Sequence, residues 1–171
     1  MKLINSLILI VLIFSSCSSS EKYDVIIRNG SIIDGSGSPA RVGDIGIMSD
    51  SIAVIGDLKK ARGRTEIDAT GMTVAPGFIN MLSWAVESLI EDGRSMSDIC
   101  QGVTLEVLGE GDSWGPWSES MKREMLSSQG DIKYDIEWTT LGEYLEYLEN
   151  KGVSTNIASF VGTATVRIHT V

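Results

Sequence analysis

The rhythm of apolar and polar positions changes once along this chain, at Pro76. Before it, apolar runs are short and each ends at a turn signal. Tyr23-Asp-Val-Ile-Ile-Arg28 predicts a strand stopped by the turn pair Asn29-Gly30, and Ser31-Ile-Ile33 predicts a second. Asp34-Gly35-Ser36-Gly37 predicts a loop, and with no Lys-Ser/Thr and no helix after it this is not a phosphate loop. Asp44–Met48 and Ser51–Ile55 flank Ser49-Asp50 as a hairpin. Thr65–Asp68 and Met72–Ala75 are two more strands around Ala69-Thr70-Gly71. Short strands with frequent turns are the pattern of a small β-sandwich.

From Pro76 the runs lengthen and alternate with helical patterns. Gly77-Phe-Ile-Asn-Met-Leu82 is almost continuously apolar, as for a strand buried on both faces of a parallel sheet. A helix near Ser95–Gln101 ends at Gly102. The strand Val103–Leu108 is stopped by Gly109-Glu110-Gly111-Asp112, and a helix over Glu119–Gln129 ends at Gly130. Thr140-Leu-Gly-Glu143 is a capping-box pattern, in which Thr140 and Glu143 satisfy backbone donors at a helix start. Leu141, Tyr144, Leu145 and Leu148 then form one apolar stripe, and Lys151-Gly152 suits the helix end. Asn156–Val161 is a third buried-type strand.

Strand–helix alternation predicts a parallel sheet with right-handed crossovers. The predicted class is α/β with a β part. Residues 23–75 form the N-terminal portion of a composite β-sandwich, and residues 76–171 the first strands and helices of an incomplete (β/α)8 TIM-like barrel. A full barrel needs eight strands and about 250 residues, whereas three strands are predicted here. Ile168-His-Thr-Val171 follows the third with no stop signal. The chain therefore reads as truncated, with an open sheet edge and the missing C-terminal part of its own fold as a partner.

The first residues read as a targeting segment. Lys2 gives a small positive start, and Leu3–Phe14 is an apolar run too short to cross a bilayer as a helix. Phe14-Ser15-Ser16-Cys17 then resembles the lipobox of a bacterial lipoprotein signal, with an ordinary secretory signal as the alternative. The resemblance implies a signal peptide over 1–16, lipidation of the Cys17 thiol and a tether over 17–22. It places the protein in the bacterial cell envelope, anchored at the outer membrane or periplasmic face. Several acyl chains would hold it firmly, at about 0.8 kcal/mol per buried CH2.

Composition narrows the partners. A net charge of −9 leaves no basic stripe to meet phosphates, which excludes nucleic acid. Of two cysteines only Cys100 would remain a thiol after processing, so no internal disulfide is expected. Cys100 reads as a buried structural thiol, and His169, the one histidine, as an exposed residue at a ragged end.

Several segments together resemble the amidohydrolase superfamily, and within it the N-acyl-D-amino-acid deacylases (D-aminoacylases). They are Tyr23–Gly37, Ile67-Asp-Ala-Thr-Gly-Met-Thr-Val-Ala-Pro-Gly-Phe-Ile79, Gln101-Gly-Val-Thr104, Trp138–Leu145 and Asn156–Gly162, in that order. The resemblance implies hydrolysis of a non-peptide carbon–nitrogen bond in a small-molecule N-acyl amino acid or related amide. Zinc would polarise the carbonyl and lower the pKa of bound water to about 7, and a base would shuttle the proton. The family's Asp-x-His-x-His pattern is matched here by Asn80, Leu82 and Trp84. Its Cys in Gly-Asn-Cys-Gly is matched by Gly111, and its His in Val-Gly-His by Thr163. At the four histidine and cysteine positions, Leu82, Trp84, Gly111 and Thr163 supply no imidazole or thiolate, so no metal site is predicted from this chain.

Polar residues remain at the same strand ends: Ser83, Glu87, Glu110 and Asp112. Glu110 and Asp112 are candidates for an acid or base, or for holding a hard cation. They read equally as two solvated acids in a glycine-rich loop. Ser83 and Trp84 are candidates for a substrate pocket, and Trp84, Trp114 and Trp117 fit either an apolar pocket or core packing. The functional expectation is a D-aminoacylase-like hydrolase whose present chain is an N-terminal fragment, inactive alone. The alternatives are a catalytically inactive, lipid-anchored binding scaffold, or a truncated product without function.

Overall fold

Residues 22–171 are described by a computed structural model. The expected signal peptide, the tether up to residue 21 and Cys17 lie outside the described residues. The described residues divide into two compact units, one ending at Pro76 and the other Gly77–Val171.

In the first unit the apolar segments form one mixed sheet of five strands: β1 (Lys22–Ile32), β2 (Arg41–Met48), β3 (Ser51–Gly56), β4 (Arg62–Asp68) and β5 (Thr73–Val74). Its order is β3-β2-β1-β4, with β5 also pairing β1. The expected sandwich is thus represented by a single sheet among the described residues. The pairing of β1 with β4 and β5 is parallel, Ile26 lying opposite Glu66 and Ser31 opposite Thr73.

The predicted break at Asn29-Gly30 is corrected, because β1 runs straight through it. Asn29 takes φ 58 and the register with β2 shifts between Ile27 and Gly30. This is a bulge rather than a turn. The Asn29 N–H donates to Asp44 Oδ1 at 2.9 Å, which replaces the ladder bond that the bulge removes. Tyr23, Ile26, Leu58 and Ala61 form the buried cluster of this unit, with Val54 packed on it.

Arg28 fixes the segment that supplies Leu58 and Ala61. Its Nη1 donates to Leu58 O at 2.7 Å and its Nη2 to Ala61 O at 3.1 Å. Asp44 Oδ2 lies 3.5 Å from Nη1 and accepts the Leu58 N–H at 3.0 Å.

The second unit carries a parallel sheet in the order β6-β7-β8: β6 (Phe78–Asn80), β7 (Val103–Leu108) and β8 (Asn156–Ser159). Its helices are α1 (Val86–Glu91), α2 (Met96–Ile99), α3 (Glu119–Ser128), α4 (Leu141–Lys151) and α5 (Thr163–Thr170). Gly77 lies so close to β7 that a Cβ there would collide with the Thr104 side chain. The Pro76-Gly77 pair therefore marks where backbone must press against β7. Val86, Leu89 and Ile90 of α1, Leu108 of β7, Trp138, and Tyr144 and Leu148 of α4 form the core.

Several expectations are corrected here. The strand predicted over 77–82 is shorter and not buried on both faces; Phe78 and Ile79 are exposed, because β6 is an edge strand and contributes nothing to that core. Cys100 is exposed, since it caps a four-residue helix with no buried residue. The end of the chain is helical: α5 follows the predicted third strand, over residues for which the sequence predicts no element and a ragged end. Its Val166 and Ile168 are β-branched and its Gly162 cap makes no side-chain bond, so the usual helix signals are missing. The capping box of α4 is present as predicted, with Glu143 N–H donating to Thr140 Oγ1 at 3.2 Å and Glu143 Oε2 accepting from Thr140 N at 2.8 Å.

Candidate functional site

Parallel strands aim their C-terminal ends at the loops where such folds place their chemistry. After β6 the chain continues the ladder through Ser83 N–H to Val107 O at 3.0 Å and then turns into α1. After β7 it enters Gly109–Trp117, a loop held by Ser113. The Ser113 N–H donates to Thr165 Oγ1 at 2.8 Å, its hydroxyl donates to Gly115 O at 2.6 Å, and its Oγ accepts the Gly162 N–H at 2.9 Å. Trp117 Nε1 donates to Ser113 O at 3.0 Å. One buried serine thus ties the β7 loop to the start of α5.

Beside this loop lies a cavity of about 420 Å³ within the second unit, walled by Trp84, Asp112, Trp114, Trp117, Met121 and Met125. The two tryptophans of the loop, Trp114 and Trp117, are 5.5 Å apart, centroid to centroid, and tilted. Glu87 of α1 also faces the cavity and accepts the Tyr134 hydroxyl at 3.0 Å. Burial, then the bond to Glu87 and its charge, push the Tyr134 phenol up to about 12.

The sequence candidates separate. Trp84 and Asp112 reach the cavity wall. Glu110 is exposed and stands outside it. Ser83, expected at a substrate pocket, is buried and not part of the wall; its hydroxyl donates to Glu106 Oε2 at 2.6 Å. His169 is exposed on α5.

Sequence reasoning passed over Glu106. Its carboxylate is fully buried in the middle strand and accepts three hydroxyls: Ser83 at 2.6 Å, Ser95 at 2.8 Å and Thr155 at 2.9 Å. A carboxylate in the middle of Val103-Thr-Leu-Glu-Val-Leu108 was the available signal, because a central parallel strand rarely carries a charge without a partner. The network joins the segment after β6, the start of α2 and the segment before β8. It organises the unit rather than presenting a group to a ligand.

Zinc chemistry does not fit the residues present. Leu82 and Trp84 are exposed side chains without a ligating atom, and Thr163 offers only a hydroxyl. Gly111 has φ 82, a conformation that a cysteine would adopt only under strain. Among the described residues no group of three or more His, Cys, Asp or Glu is placed to hold a metal.

No protein-family model matches the chain. Over 156 residues it is 33% identical to D-aminoacylase of Alcaligenes xylosoxydans xylosoxydans, covering 89% of this chain and 31% of that protein. A solved D-aminoacylase, described as defining a novel subset of amidohydrolases, superposes with a TM-score of 0.72 at 32% identity, covering 86% of this chain and 31% of the other. N-acyl-D-glutamate deacylase from Bordetella bronchiseptica, solved with zinc and a phosphonate inhibitor, gives 0.73 at 31% identity, covering 88% and 32%. The chain is homologous to these deacylases of the amidohydrolase kind, and its mixed α/β fold matches theirs. It spans about a third of the length of the relatives it matches.

Proposed function

We propose that this chain carries part of the scaffold of an amidohydrolase-type deacylase directed at a small N-acyl amino acid or related amide. The observation that supports it most is the match of 86% of the chain to a D-aminoacylase fold at 32% identity. Zinc accompanies a solved relative, but Leu82, Trp84, Gly111 and Thr163 cannot hold it here. Residues 22–171 therefore do not hydrolyse the amide unaided. The domain reading proposed is a β-sandwich portion over 23–75 and a partial barrel over 76–171.

A second reading is favoured by the same replaced positions. In it the protein is a catalytically inactive binding scaffold, held in the bacterial envelope by lipid on Cys17. Labelled palmitate incorporated by the wild type and not by Cys17→Ser would support the anchor; equal incorporation would remove it.

The test of the main reading is a pair of assays on the full chain with added zinc: binding of N-acetyl-D-amino acids and their amides by calorimetry, and acetate release. Binding without release is expected, with the amides held more tightly than the free acids. Release abolished by a chelator would overturn the claim that the chain lacks its own metal site. Absence of binding to every acyl compound would overturn the substrate class.

A further inference from the structure

The cavity beside the β7 loop has a composition that selects the charge of its occupant. Its apolar wall is aromatic and thioether: Trp84, Trp114 and Trp117 with Met121 and Met125. The charged side chains on it are Glu87, Asp112 and Glu124, and no Lys, Arg or His lines it. Tyr134 donates to Glu87 as a neutral phenol and cancels none of that charge. Neither Asp112 nor Glu124 forms an ion pair among the described residues, whereas Lys122, two residues before Glu124, pairs with Glu119.

Indole faces attract cations through their quadrupole, and carboxylates beside them add to that attraction in a partly desolvated space. The same wall repels a carboxylate. A free N-acyl amino acid carries a carboxylate and would meet this repulsion; an amide whose amine portion bears a positive charge would not. About 420 Å³ is the size of a pocket for a small organic molecule.

We propose that the cavity between the β7 loop and α3 is a binding site for a small apolar cation, an organic ammonium with an aromatic or aliphatic body. This narrows the substrate class above and rests on that reading only for the word substrate. The binding itself does not depend on it.

The experiment reads binding alone, so failure of deacylation leaves it intact. The full chain is titrated with benzyltrimethylammonium, benzyl alcohol and benzoate, following tryptophan fluorescence and calorimetry. The expected order of affinity is ammonium, then alcohol, then benzoate, with the ammonium at least about tenfold tighter than benzoate. Trp84 is 68% exposed, so its replacement does not threaten folding. Trp84→Ala should weaken the ammonium by about twofold to thirtyfold, and Trp84→Phe should restore most of that loss. Glu124→Gln, also at an exposed position, should weaken the ammonium and leave benzyl alcohol unchanged. Equal affinity for ammonium and benzoate, or an ammonium affinity indifferent to both Trp84→Ala and Glu124→Gln, would overturn the proposal.

Discussion

Arg28 and Glu106 are both charged groups inside a sheet unit, and the two units satisfy them in different ways. In the first unit Arg28 meets opposite charge, with Asp44 at 3.5 Å and Glu66 at 3.0 Å, and two backbone carbonyls complete its shell. In the second, Glu106 meets no cation among the described residues; three hydroxyls from three separate segments surround it. An ion pair can stay partly wet, as the 14% exposure of the Arg28 side chain allows. A fully buried carboxylate held by neutral donors depends on every one of them, because a lost donor leaves charge uncompensated in low dielectric. The first unit is therefore tied by pairs that tolerate water, and the second by a network that does not.

Substitutions in either unit test this contrast, the largest effect falling on Glu106→Ala. Glu106→Ala leaves three hydroxyls without their acceptor and a hole in the middle strand, and should cost about 4 kcal/mol of stability in urea unfolding. Glu106→Gln keeps the shape and should cost about 2 kcal/mol. A Glu106→Gln protein as stable as the wild type would remove the argument for a charge-dependent network. Arg28→Ala leaves the buried Asp44 with its two backbone donors but no cation and should cost about 3 kcal/mol; a cost near zero would mean that water replaces the guanidinium without penalty. Thr140→Ala removes one half of the α4 capping box and should cost about 1 kcal/mol, read as a drop in melting temperature.

Acid reaches exposed carboxylates in both units, and in the second the Arg94 guanidinium beside Asp92 holds its carboxyl at about 2. Asp24 is held below the usual carboxylate range by the Ser49 N–H and Arg64, Glu66 by the Gly63 N–H and Arg28, and Asp68 by the Thr70 hydroxyl and N–H. Folded pKa values below the unfolded ones mean that this stabilisation is present above the unfolded pKa and is lost as pH falls through the folded value, below about pH 4. Unfolding followed by signals of the first unit should weaken there, and the loss should shrink at high salt, since these groups are exposed. A flat response from pH 5 to 2 would contradict it.

Much of this was legible in the residues, and the exceptions share a cause. The strand Val103–Leu108 and the helix from Thr140 follow period and capping chemistry, which are local. The β1 bulge was read as a turn because Asn29-Gly30 signals both equally; Asp44, fifteen positions away, decides between them. Cys100 was read as buried because helix composition says nothing about whether anything packs on that face. Glu106 was missed because its three partners are 23, 11 and 49 residues away and meet only in the fold. At the site, Trp84 and Asp112 were found from their place after strands. Glu124 was not, because it reaches the cavity from a helix whose pattern shows only an exposed acid.

We propose that Leu82, Trp84, Gly111 and Thr163, within a fold that matches the D-aminoacylases, hold no metal in this chain. Zinc titration of the full chain by calorimetry, followed by dialysis and metal analysis, tests it most directly. No saturable uptake and no zinc retained after dialysis are expected. One zinc per chain, retained and lost on replacing Asp112 or Glu110, would contradict it.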